Sequence, residues 1–240
     1  MKVSKRNIFK SITTLRFDLF LIFILSILSI LLIDFWLINI PEIFIGGAIL
    51  GQLVYGLSFS YVSAFIFYFF VVHLKDQKDK NNLYPYIADK VLFVVGQGKG
   101  LLNACAKSAQ VTLAGNYPND SELLDICKAI NPNSKSPLVM GVSGHYANWR
   151  QYFEYFMRSS NDATSRILSK MQFLDSDLVI KLVKIEDCNH FNALTFFSSM
   201  PIGNTDFTDF KPDIAEYLKL IEDLEIYYIK NLKKTAANIS

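Results

Sequence analysis

Charge is scarcest where this chain is most apolar. In the 58 residues from Phe17 to Leu74 only Asp18, Asp34 and Glu42 are acidic, no Lys or Arg occurs, and 14 side chains are aromatic. A soluble domain carries roughly a quarter charged residues, so a wholly soluble protein is excluded, and a disordered chain is excluded by the hydrophobicity. Cysteine is also sparse: Cys105, Cys127 and Cys188 are the three present, none at CxxC spacing, which excludes a disulfide scaffold. An excess of one sign of charge is missing from the rest of the chain. Residues 75–240 hold 19 basic and 19 acidic side chains. A neutral domain lacks the clustered Lys and Arg that hold a phosphate backbone, so nucleic acid is not expected as a main partner. The net +2 comes from a basic tail, residues 1–16, where Lys2, Lys5, Arg6, Lys10 and Arg16 stand without an acid.

Two long apolar runs stand in place of those features. Leu19 to Asn39 is 21 residues, about 31 Å of helix at ~1.5 Å per residue, enough for a hydrocarbon core of ~30 Å. It ends in Trp36 and Asn39 and leads to a second apolar run, so it reads as a retained anchor instead of a signal peptide. The second run, Ile43 to Leu74, has 32 residues, too many for one untilted crossing. A minimal crossing reaches back from Leu74 to about Leu53, leaving Pro41 to Gln52 as an interfacial segment or a helix extension, and Pro41, Gly46 and Gly47 favour a break before the helix settles. The expected hairpin is residues 17–74, with spans near 19–39 and 48–74 and the lipid bilayer as its solvent. Five basic residues precede it and Lys75, Lys78 and Lys80 follow it. The positive-inside bias therefore predicts both ends in the cytoplasm. Trp36 and the aromatic run from Phe65 to Phe70 fit interfacial belts at the two boundaries.

Small residues recur every four positions in the second run, first Gly47 and Gly51, then Gly56, Ser60 and Ala64. Such stripes let helices approach closely in lipid. Packing against the first span and self-association into a homo-oligomer both satisfy the spacing. Asp34 is the one ionisable residue well inside a span, and an intramembrane acid normally faces a partner, a cavity or water. It either reaches the headgroup region or meets Gln52 or Tyr55 across the hairpin; the remaining reading is a transport or gating role.

Residues 75–240 read as a predominantly helical domain, making the fold class all-α: a two-helix transmembrane hairpin followed by a cytoplasmic helical domain. Residues 75–82 look like a polar exit from the membrane. Leu83 to Gly115 has a helical stripe that Gly96, Gly98 and Gly100 interrupt, favouring a bend or a break, or else a close packing contact. Helices are expected over 122–130, 149–157, 165–174, 178–197 and 213–232, with a turn at Asn131-Pro132-Asn133 and a short strand at 138–142 inside a loop. The last helix steps through Ile214, Leu218, Ile221, Leu224, Tyr228 and Leu232. That stripe predicts packing onto its own domain in preference to a coiled coil.

No stretch nominates an enzyme, a cofactor or a metal. Gly96-Gln97-Gly98-Lys99-Gly100 misplaces the third glycine of a dinucleotide loop and lacks the Lys-Ser/Thr of a phosphate loop. Gly141-Val142-Ser143-Gly144-His145 has histidine where a nucleophile elbow needs glycine, and no parallel sheet is expected to present it. Cys188 and His190 make two of the four ligands a structural zinc takes. His73, His145 and His190 are isolated, and the acid pairs at 186–187 and 222–223 read as solvated helix faces.

Glu42 to Ile87, with its aromatic Ser-Tyr/Phe-Tyr-Phe pattern and basic exit, resembles the membrane segment of a group of uncharacterised bacterial proteins with two spans and a cytoplasmic helical tail. The resemblance implies a bacterial inner-membrane protein and carries over no catalytic residue. Two functions follow as expectations. In the first, the neutral domain binds a cytoplasmic protein partner or ligand at the membrane without catalysis. In the second, an oligomeric effector of a stress or phage-defence system permeabilises the membrane through its glycine-striped spans and Asp34.

Overall fold

Residues 17–41, 44–140, 144–197 and 202–233 are described by the computed structural model. The chain is 78% helical, with few strands, and divides into two compact units, Met1–Asn81 and Asn82–Ser240. The expected basic tail, residues 1–16, lies outside the described residues.

In the first unit, α1 (Phe17–Phe35) is followed by a 3-10 turn (Leu37–Asn39), and α2 (Gly47–Phe67) packs back against α1. Gly46 sets the start of α2 with φ +93°, a left-handed conformation that glycine takes without a Cβ clash. The seam is built from Ser26 and Ser58, both buried, with the Phe23 ring stacked 4.2 Å from Phe65. Tyr61 donates its hydroxyl to the Leu19 carbonyl at 3.0 Å. The other faces of both helices leave Leu, Ile, Val and Phe exposed. The chain thus has two helices long and apolar enough to cross a membrane.

Residues 75–82, the polar exit, are helical. A π-turn (Tyr68–His73) joins α2 to α3 (Leu74–Ser108), so helix runs without a break from Gly47 to Ser108, 62 residues. Pro85 lies inside α3, where it removes one N–H from the ladder without ending the helix. The three glycines do not end it either. Val94, Val95, Leu101 and Leu102 on either side of them keep α3 buried on one face, and Gly98 is itself buried.

The second unit continues with α4 (Asp120–Ala129), the antiparallel strands β1 (Lys135–Met140) and β2 (His145–Asn148), then α5 (Trp149–Leu168), α6 (Ser176–Glu186), α7 (Asn189–Phe197) and α8 (Lys211–Tyr227), which ends in a second π-turn (Tyr228–Leu232). Local chemistry explains the differences from the expected boundaries. α4 starts at Asp120 because Asn119 caps it: its side chain accepts from the Glu122 N–H while Glu122 accepts from the Asn119 N–H. A second capping box, Asn148 with Gln151, starts α5 directly after β2. The helices expected at 149–157 and 165–174 are one helix to Leu168, held through its polar middle by the burial of Ser160, Ala163 and Thr164. The helix expected over 178–197 is two, because the chain leaves the helical path at Asp187 and Cys188. A hairpin, β1 with β2, replaces the expected loop with a single strand.

The core of this unit gathers Ile87, Val91 and Val94 of α3, Leu123 of α4, Trp149 and Ile167 of α5, Leu182 of α6, and the stripe of α8. In that stripe Ile221 and Leu224 are completely buried.

Candidate functional site

A cleft of about 540 Å³ opens in the first unit between the end of α1 and the start of α2. Ile33 and Asp34 reach it from α1, Leu37 and Phe44 from the connection, and Gly47, Gly51, Gln52 and Tyr55 from α2. Four residues singled out for separate reasons in the sequence, Asp34, Gln52, Gly47 and Gly51, therefore share one site. Glycine is what keeps its α2 side open: a Cβ built on Gly51 meets nothing within 4 Å, and one on Gly47 meets only the Phe44 ring at 3.7 Å. Among the described residues no hydrogen bond or ion pair joins Asp34 to Gln52 or Tyr55, although all three line the cleft.

Gly56, Ser60 and Ala64 are not part of it. At ~100° per residue they fall on the side of α2 opposite Gly51, Tyr55, Ser58 and Phe65, and all three are exposed. A Cβ on Gly56 likewise meets nothing within 4 Å. Packing of α1 on α2 thus uses serines and aromatics instead of either small-residue stripe. Sequence reasoning left the Phe23–Phe65 stack and the Tyr61 hydroxyl unassigned. The second was legible in principle, since a phenol in an apolar run must find an acceptor.

In the second unit several polar groups are bound to one another. Lys99 pairs with Glu225 at 2.6 Å and lies over the Tyr117 ring, 5.4 Å from its centre, while the Tyr117 hydroxyl donates to the other Glu225 oxygen at 2.8 Å. Burial works to raise the Glu225 carboxyl, but the hydrogen bonds from Lys99 and Tyr117 hold it below its ordinary range. The Gly96–Gly100 segment is helical, so its N–H groups belong to the helix ladder and form no phosphate cradle. Asp175 has two tasks as well: one oxygen caps α6 by accepting from the Leu178 N–H at 3.0 Å and the other accepts from the Tyr227 hydroxyl.

Burial holds the three cysteine thiols in their protonated form. Burial raises the Cys127 and Cys188 thiols to about 11 and pushes Cys105 further in the same direction, so the thiolate that would attack or bind metal is disfavoured. Burial lowers His190 to about 3, keeping it neutral between Tyr217, stacked at 5.1 Å, and the edge of Phe153. Ser143 lies outside the described residues. The strands on either side of it form an antiparallel hairpin, whereas a nucleophile elbow joins a strand to a helix. Among the described residues no group of three or more His, Cys, Asp or Glu side chains converges as a metal site. Two small spaces in this unit, one beside Cys105 and Cys127 and one beside His190, are each about 20 Å³, room for about one water molecule.

Comparison of the chain with protein-family models, curated proteins and solved structures found no match.

Proposed function

We propose that the chain is an integral protein of a bacterial inner membrane, anchored by α1 and α2 with both termini in the cytoplasm, whose second unit binds a cytoplasmic partner without catalysis. The observation that carries the anchor is the opposite treatment of apolar side chains in the two units. The second buries its Ile, Leu and Val stripes in a core, while in the first Leu25, Leu28, Ile49, Leu53 and Leu57 remain about half exposed or more. Lipid is the solvent in which such faces are stable. The partner surface that suits this reading is the β-hairpin, where Val139 and Tyr146 face one another across the strands and are 49% and 56% exposed. Paired apolar side chains on a two-stranded sheet offer a partner both contact area and free strand edges.

Flotation of the full chain with lipid vesicles, resistant to alkaline carbonate, tests the anchor; recovery in the soluble fraction would sink it. Topology is read with an impermeant thiol reagent at Ser121→Cys, an exposed position, because Cys127 is buried and its thiol suppressed. Labelling in intact cells would overturn the cytoplasmic assignment. The partner surface is tested by pull-down from a soluble extract with wild type and Val139→Asp/Tyr146→Asp. Identical capture by both would remove the hairpin from the reading.

The second reading, an oligomeric membrane-permeabilising effector, is favoured by the exposed Gly56, Ser60 and Ala64 face of α2. Membrane potential and growth under matched expression of wild type, Gly56→Leu and Asp34→Asn separate the two. Depolarisation abolished by Gly56→Leu would support the effector, and an unchanged potential in every strain would sink it.

A further inference from the structure

The cleft is lined by Asp34, Gln52 and Tyr55 among residues that are otherwise apolar. Its volume, about 540 Å³, falls in the ~300–1,000 Å³ range of small-molecule sites. Among the described residues its lining contains one carboxylate, Asp34, and no Lys, Arg or His. No basic residue precedes His73 within the hairpin sequence from Phe17 onward, so the hairpin has nothing of its own with which to neutralise that charge at the cleft. A carboxylate in such surroundings is costly to strip of water without a cation beside it.

We propose that this cleft binds an alkylammonium amphiphile: one ammonium group carried on a hydrocarbon chain. The ammonium has three N–H donors, and Asp34, the Gln52 side-chain oxygen and the Tyr55 hydroxyl oxygen are the acceptors available to it. Ile33, Leu37 and Phe44 cover the tail. Gly51 is essential because its missing side chain is the space the ligand occupies. The inference takes from the anchor reading only the route by which the ligand arrives, through the lipid. Two sources share this chemistry: a free long-chain amine and the amine headgroup of phosphatidylethanolamine.

The test is equilibrium binding of radiolabelled decylammonium at pH 7 to the full chain in phosphatidylglycerol vesicles, read as saturable binding above protein-free vesicles. Asp34→Asn, nearly the same shape, is expected to weaken it about tenfold or more, the loss of one charge-assisted contact. Gly51→Leu abolishes it by filling the cleft. Asp18→Asn, which removes the same charge from the other end of α1, leaves it unchanged, and labelled decanol shows no saturable binding. Absence of saturable binding in wild type, undiminished binding in Asp34→Asn, an equal loss in Asp18→Asn, or equal binding of decanol would each overturn the proposal. Displacement by phosphatidylethanolamine added to the vesicles identifies the lipid headgroup as the source, and its failure to compete identifies a free amine; either upholds the site. Should the chain fail to float with vesicles, the anchor reading falls, while the same titration of detergent-solubilised chain still decides the cleft.

Discussion

Replacing Gly98 by alanine sets two effects of known size against each other. In a helix interior alanine is favoured over glycine by ~1 kcal/mol. A Cβ at position 98, however, would lie 2.8 Å from Ile221 Cγ1, 2.9 Å from Cγ2 and 3.3 Å from Cδ1, against an ordinary carbon–carbon separation of ~3.5–4.0 Å. Both close atoms are attached directly to the Ile221 β-carbon, so no rotation further along the side chain relieves them, and a β-branched residue in a helix has essentially one χ1 choice. Ile221 is also completely buried. The helices α3 and α8 must therefore separate locally, and overpacking of this kind costs ~1–3 kcal/mol. Gly96→Ala is the internal control: the position lies two residues away on the same helix, and its Cβ meets nothing within 4 Å. The propensity gain cancels between the two variants, leaving a difference of ~1–3 kcal/mol that is the clash itself. For a chain of this size that corresponds to melting temperatures roughly 3–9 °C apart, Gly96→Ala being the higher. Thermal melts of the full chain in one detergent, followed by the emission of buried Trp149, measure it. Ile221→Ala removes all three atoms and should relieve Gly98→Ala in a double-mutant cycle, whereas Ile221→Val keeps both branches and should not. A Gly98→Ala protein that melts at or above Gly96→Ala would refute the claim that close approach of α8 demands glycine here.

Asn119→Ala removes the side chain that accepts from the Glu122 N–H and should destabilise α4 by ~1 kcal/mol, with Asn119→Ser nearly neutral; amide exchange of residues 120–123 reads it. Glu225→Gln leaves Lys99 without its counter-charge and is expected to cost ~1–2 kcal/mol in denaturant melts at pH 7. Because Lys99 and Tyr117 hold the Glu225 carboxyl below its ordinary range despite burial, that stabilisation is present above the unfolded value of ~4.3 and lost as pH falls through the lower folded value, so the variant difference should shrink in acid. His190 adds a separate acid sensitivity. Its folded value of about 3 lies below the unfolded ~6.5, so the unfolded chain takes up a proton first, and stability falls as pH drops from ~6.5 towards 3 by up to ~1.4 kcal/mol per pH unit. His190→Leu should flatten that slope over pH 6.5 to 4, and an unchanged slope would remove His190 as its cause.

Much of the second unit was legible because its helices carry the same signal along the whole length. The α8 stripe was readable from spacing alone, and Ile214, Leu218, Ile221, Leu224 and Leu232 are indeed buried. Boundaries failed where one local bond outweighs periodicity. Asn119 moved the start of α4, and the two-residue departure at Asp187 and Cys188 leaves no mark in the hydrophobic pattern, since Phe191 continues the spacing on the far side. The polar exit at Lys75–Asn82 gave no helical stripe to read, yet it is helix. Lys, Asp and Gln are adequate helix formers once α2 has already supplied the nucleus. In the candidate site the residue types were legible individually, but not their convergence. Asp34 and Gln52 are 18 positions apart, and only the turn between α1 and α2 brings them to one cleft.

The glycines show why spacing alone left the choice between internal packing and self-association open. Three environments occur among them. At Gly98 a neighbour already fills the place of a side chain; at Gly51 the place is empty and belongs to a cleft; at Gly56 it is empty and belongs to an outer face. A four-residue interval between Gly47 and Gly51 and again between Gly56 and Ser60 looks like one continued stripe. The five-residue step from Gly51 to Gly56 breaks it, because five positions rotate an α-helix by ~500°, about 140° beyond a full turn. That single extra residue moves the second stripe to the far side of α2. The hairpin therefore has room for both assignments without competition between them. One glycine face lines the space beside α1, and the other is presented outward, where in lipid a small-residue surface gains by close packing against another helix.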